Sequence, residues 1–94
     1  MSLVSIDSVR NQTLRLLARM ETGERLELHS FKRDRFLIIT CTGSGSFLVQ
    51  EKGFRVQEIT AGAPQMSRLL KTLIKREFPR SRRVRLHTFK HRDG

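Results

Sequence analysis

The chain has 94 residues, 19 of them Lys or Arg and nine Asp or Glu, for a formal net charge of +10 at neutral pH. Hydrophobic residues make up 37% and charged residues 30%, with six Phe and no Trp or Tyr, which excludes a disordered chain and fits one small domain, residues 1–94, around a modest core. The single cysteine, Cys41, excludes an internal disulfide and a multi-cysteine zinc site and points to a reducing, cytoplasmic setting; no apolar run is long enough to span a membrane, and MSLVSIDSVR lacks a charged leader followed by an apolar stretch.

Along the chain, TLRLLARME (13–21) sets Leu14, Leu16, Ala18 and Met20 against Arg15, Leu17, Arg19 and Glu21, a period-2 pattern that favours a strand. The same residues are good helix formers, and Val9, Leu16, Leu17 and Met20 roughly share a helical face, so helix is the alternative. RLELHSF (25–31) alternates again beyond Thr22-Gly23, and the two runs read together as a hairpin. KRDR (32–35) is a polar turn. RFLIITCT (35–42) is apolar at nearly every position and β-branched in the middle, the profile of a central strand covered on both faces. GSGS (43–46) breaks it as a hairpin turn, and FLVQE (47–51) and FRVQEI (54–59) flank a tight turn at Lys52-Gly53.

The period changes at TAGAP (60–64). Pro64 suits the first turn of a helix, and Met66, Leu69, Leu70, Leu73, Ile74 and Phe78 then recur at spacings of three and four until Pro79 ends the run. RRVRLHTF (82–89) alternates once more, with Val84, Leu86 and Thr88 inward and Arg83, Arg85 and His87 outward; residues 90–94 form a polar tail. The expected architecture is α+β: a mostly antiparallel sheet of five to six strands in the order β-β-β-β-β-α-β, with one amphipathic helix on one face. The place of the last strand in that sheet is open.

KGFRVQEI (52–59) resembles the aromatic octapeptide of RNA-recognition-motif domains at Lys52, Gly53 and Phe54, and a helix and a final strand follow in both. It departs from that motif at Arg55, Val56, Gln57 and Ile59, and a convincing first helix between early strands is lacking. The reading adopted is a hairpin with a glycine turn and a core Phe.

Charge is distributed unevenly. Residues 1–67 hold nine Lys/Arg and seven Asp/Glu, a net of +2, whereas residues 68–92 hold ten Lys/Arg and one Glu, a net of +9. Within the second segment Arg68, Lys71, Thr72 and Lys75 fall on one arc of the helix, with Arg76 near it. Arg80 and Arg82 stand in the following turn, and Arg83, Arg85 and His87 share the outward face of the last strand. Guanidinium forks fit phosphate oxygens two at a time, and phosphates repeat along a line, so the expected function is nucleic-acid binding, of RNA or single strands, by one continuous patch of Arg68, Lys71, Lys75, Arg76, Arg80, Arg82, Arg83, Arg85 and His87. The alternative is a protein-interaction or self-associating subunit that docks an acidic partner.

No enzymatic signature is complete. CTGSGS (41–46) lacks the Lys and Ser/Thr of a nucleotide-binding loop and the Arg of a cysteine-phosphatase loop. His87 and His91 are four apart but in a strand and its tail, so they diverge, and no metal or other cofactor is expected. His29 and His87 could meet across a sheet beside Lys or Arg, as a small ribonuclease-like hydrolase requires; this is the third reading, and no residue is assigned a catalytic role.

Overall fold

In the computed structural model residues 2–90 are described, in the order β1 (Ser2–Ser5), α1 (Val9–Leu17), β2 (Arg25–His29), β3 (Phe36–Gly43), β4 (Ser46–Lys52), β5 (Val56–Gly62), α2 (Ala63–Glu77) and β6 (Arg83–Phe89). The six strands form one open, wholly antiparallel sheet with spatial order β1-β6-β2-β3-β4-β5. The fold is α+β as expected. The last strand enters the sheet between β1 and β2, with Leu28 opposite Leu86 and Val4 opposite Val84. Beyond Lys90 the expected polar tail lies outside the described residues.

One face of the sheet carries the core. Val4, Leu26, Leu28, Leu37, Ile39, Cys41, Phe47, Val49, Val84 and Leu86 alternate inward along their strands and are buried against α1 and α2. On α2, Met66, Leu70, Leu73 and Ile74 form the buried stripe, and Phe78 just past its end is also buried. Pro64 lies in the first turn of α2, where the Gly62 N–H donates to Gln65 Oε1 at 2.8 Å. The hairpin turn at 43–46 falls where its glycines placed it, and Gly45 takes φ 70°, a left-handed conformation that glycine adopts without a Cβ clash. The second turn spans 53–55, later than the expected Lys52-Gly53, so Phe54 and Arg55 lie in the turn and β5 begins at Val56.

The chief departure is at residues 13–21, expected as a strand. They contain the second half of α1, so the first hairpin does not exist, and the described residues form two helices. The stripe that buries α1 is Val9, Thr13 and Leu17, spaced i, i+4, i+8. It begins before the alternating window and runs through a polar residue, so the leucines at 14 and 16 dominated the pattern. A strand was also missed at the N-terminus. β1 has four residues and sends only Val4 into the core, too short for a period to register.

A second departure concerns β3. It is central, but helices cover only one of its faces: Leu37, Ile39 and Cys41 are buried while Phe36, Ile38 and Thr40 are half-exposed on the other. Among the described residues no element packs over that second face of the sheet.

Candidate nucleic-acid interface

The topology divides the expected basic patch. Arg68, Lys71, Thr72 and Lys75 are exposed on the side of α2 away from its buried stripe. Arg83, Arg85 and His87 alternate with the core residues Val84 and Leu86 and therefore lie on the opposite, uncovered face of the sheet. Helix and strand cations look out from two sides of the domain, and the single continuous patch is not formed. The physical reason is that α2 spends its apolar face on the same side of the sheet as the inward residues of β6.

What gathers cations instead is one end of the sheet. The turn between β2 and β3, the turn between β4 and β5, the end of α2 and the start of β6 surround a cavity of about 890 Å³. The connection from α2 to β6 contributes Arg80, Arg82 and Arg83; the β2–β3 turn contributes Lys32 and Arg35. Arg76 lines the same cavity from the last turn of α2. The α2 C-terminus adds roughly half a negative charge here, too little to offset that many cations.

Among the described residues two carboxyls line the cavity, and both are engaged. Asp34 Oδ1 accepts from the Ser30 hydroxyl at 2.8 Å, a bond that holds its carboxyl below the usual range. Glu77, the one acid of residues 68–92, is buried. Its Oε1 accepts the Phe54 N–H at 2.8 Å and its Oε2 the Arg55 N–H at 3.2 Å, which ties the β4–β5 turn to α2. Burial pushes the Glu77 carboxyl up, reinforced by its hydrogen bond to Glu51, and the two N–H donors only partly oppose this. Glu51 is fully buried on β4. It accepts from Arg76 Nε and Nη2, both at 2.8 Å, and from Gln57 Nε2 at 2.7 Å, and the Arg76 guanidinium holds its carboxyl down at about 2. Arg76 was expected to meet phosphate; its guanidinium is committed to Glu51 and serves the frame of the cavity. Among the described residues Arg80, Arg82 and Arg83 form no ion pair.

Gly53 is required by this frame. A Cβ there would collide with Glu77 Oε1 and stand 3.0 Å from Arg35 Cβ and Cγ. The carboxyl is buried and held by two backbone donors, so moving it aside strains or breaks those bonds. Gly53→Ala is expected to cost about 2 kcal/mol, a melting temperature lower by about 10 °C. Gly43→Ala, where nothing lies within 4 Å, is the silent control, and calorimetry of the two variants checks the contrast.

Two aromatic rings mark the mouth. Phe31 is 61% exposed and Phe54 is 67% exposed, and both line the cavity. Phe54 was expected in the core; it sits at the tip of the β4–β5 turn, where Glu77 pins its backbone and leaves the ring outside. The Arg85 guanidinium lies over the Phe31 ring at 4.8 Å and the Arg35 guanidinium over Phe54 at 5.9 Å. Next to Phe31 the β2–β3 turn is tight: Arg33 takes φ 62°, which costs about 1 kcal/mol outside glycine.

The cavity reaches the uncovered sheet face at Arg83 and at Phe31, the ring that Arg85 overlies. On that face His29 stacks on Phe36 with centroids 5.1 Å apart, His87 stacks on Phe89 at 4.3 Å, and Arg25 lies over Phe89 at 4.1 Å. Glu27 joins the two pairs, 2.8 Å from His29 Nε2 and 2.9 Å from Arg25 Nε. The strand register sets Glu27 opposite His87 and His29 opposite Arg85, so the two histidines are diagonal neighbours on one face and neither lines the cavity. No group of three metal-ligating side chains occurs among the described residues. Lys32, Arg35, Phe31 and Phe54 are not legible as site residues in the sequence: the two cations carry only the polarity of a turn, and the Phe residues carry no signal that separates a core ring from an exposed one. Comparisons with protein-family models, with curated proteins and with solved structures match nothing to this chain.

Proposed function

We propose that the protein binds nucleic acid, RNA or single strands, with its interface at the end of the sheet where the cavity meets the uncovered face. The observation that carries this reading is the cavity rim: Arg80, Arg82, Arg83, Lys32 and Arg35 converge on one concave surface whose two carboxyls are already hydrogen-bonded. A phosphate chain satisfies several such cations at once, because its charges are spaced along a line. The neighbouring face adds flat surfaces, Phe36 with His29 and Phe89 with His87, of the kind on which bases stack. Arg68, Lys71 and Lys75, exposed on the outer side of α2, do not line the cavity and contribute only to the general field.

Titration of a fluorescent single-stranded 12-mer, as RNA and as DNA, at two salt concentrations tests this. Affinity is expected to fall steeply with salt, with a log–log slope near −3, about 0.7 for each of four to five phosphates. A salt-independent affinity, or none at low salt, would reject the reading. A second reading, strand-edge association with a protein, is favoured by Val56, 81% exposed on the edge strand β5. Sedimentation showing a concentration-dependent dimer, without nucleic-acid binding, would put it first.

A further inference from the structure

We infer that the cavity between Phe31 and Phe54 is a nucleobase pocket: one unpaired base of the bound strand enters it and stacks on Phe54, while its flanking phosphates rest on Arg80, Arg82 and Arg83. The inference rests on the nucleic-acid reading above and adds to it how the ligand is selected. A surface that only neutralised phosphates would need neither concavity nor rings. Here the charge stands around a hollow of about 890 Å³, within the range of small-ligand sites and ample for a nucleotide.

The two rings are the only Phe side chains with most of their surface in water, since Phe36 and Phe89 are half-buried and Phe47 and Phe78 are buried. Exposing a phenyl ring forgoes about 2 kcal/mol of burial, and both that do so line this one hollow. Neither ring floats. The Phe54 backbone is fixed by Glu77, which is itself held in a buried network with Glu51 and Arg76, and Phe31 sits in the turn closed by the Ser30–Asp34 bond. A flat, rigid, water-exposed ring beside guanidinium groups offers a base its face and the attached phosphate its counter-charge. A base inside a duplex presents only its edges, so this pocket admits single strands, loops or ends and rejects paired stems.

Heparin separates the two contributions, because it is a polyanion without bases. In anisotropy and competition titrations, Phe54→Ala is expected to weaken the single-stranded 12-mer about 10-fold and to leave heparin within twofold, with Phe54→Leu behaving like alanine and Phe54→Trp restoring binding. Wild-type protein is expected to prefer the single strand to the matching duplex, and Phe54→Ala to lose most of that preference. The ring is exposed, so unchanged melting temperatures will confirm that the variants fold. Equal loss for heparin and for the oligonucleotide, or no loss for either, overturns the base pocket and leaves nucleic-acid binding standing. Failure of wild-type protein to bind the oligonucleotide overturns both.

Discussion

Replacing Arg80, Arg82 and Arg83 together by alanine is expected to weaken single-strand binding about 100-fold at moderate salt and to flatten the log–log salt slope by about 2, three contacts at about 0.7 each. Replacing Arg68, Lys71 and Lys75 together is expected to change affinity less than threefold. Both triples lower the formal charge from +10 to +7, so any effect of overall charge is the same in the two proteins. What differs is position. Arg80, Arg82 and Arg83 line the cavity, whereas Arg68, Lys71 and Lys75 are exposed on the outer side of α2 and do not line it, and only direct phosphate contacts set the salt slope. Anisotropy titrations of the two triples at several salt concentrations read the contrast directly. Equal losses would mean that nucleic acid is held by net charge alone, and a larger loss from the helix triple would move the interface to α2.

Glu51→Ala is expected to destabilise the protein by about 3 kcal/mol, the largest single-residue effect at the site. The substitution removes the carboxylate that receives both nitrogens of Arg76, and it strips Gln57 of its acceptor. Arg76 is 21% exposed and regains some water, which places the cost at the lower end for a broken buried pair. Urea denaturation of wild type and variant measures it, and a change under 1 kcal/mol would show that the pair is dispensable.

The same network gives stability a pH dependence whose two limbs have opposite sign. Glu51 has a folded pKa lowered to about 2, so its contribution is complete above the ordinary Glu value of about 4.3 and is lost as pH falls from there toward 2. Glu77 has a raised folded pKa, so its contribution is complete below the ordinary Glu value and is lost as pH rises through the folded one. Stability should therefore peak in mild acid. Glu77→Gln, which cannot titrate, is expected to flatten the limb toward neutral pH and to leave the steep acid limb in place; urea midpoints at pH 3, 5 and 7 for both proteins check this.

Legibility in the sequence followed the length and purity of each pattern. α2 was plain because fifteen residues carry a four-point apolar stripe, a proline at one end and Pro79 just beyond the other. β2, β4 and β6 were plain because their alternation is clean and their turns contain glycine or proline. α1 failed because its buried stripe passes through Thr13, and β1 because four residues with one inward side chain make no period. The cationic character of the C-terminal third was readable by counting, but counting has no direction.

Composition, charge and local periodicity, all properties of neighbours along the chain, were thus decided by the amino-acid sequence itself: an α+β domain with an antiparallel sheet, one strong amphipathic helix and a large excess of positive charge. Tertiary structure alone decided which cations share a surface. Arg83 and Lys75 are eight residues apart and face opposite sides of the sheet, whereas Arg83 and Lys32 are fifty-one apart and line one cavity. It also decided that Glu77 is a buried clasp and Phe54 an exposed ring. The physical reason is common to these cases: packing α2 and β6 on one core assigns every outward side chain its side, and that assignment depends on the sheet order β1-β6-β2-β3-β4-β5, which no local pattern encodes.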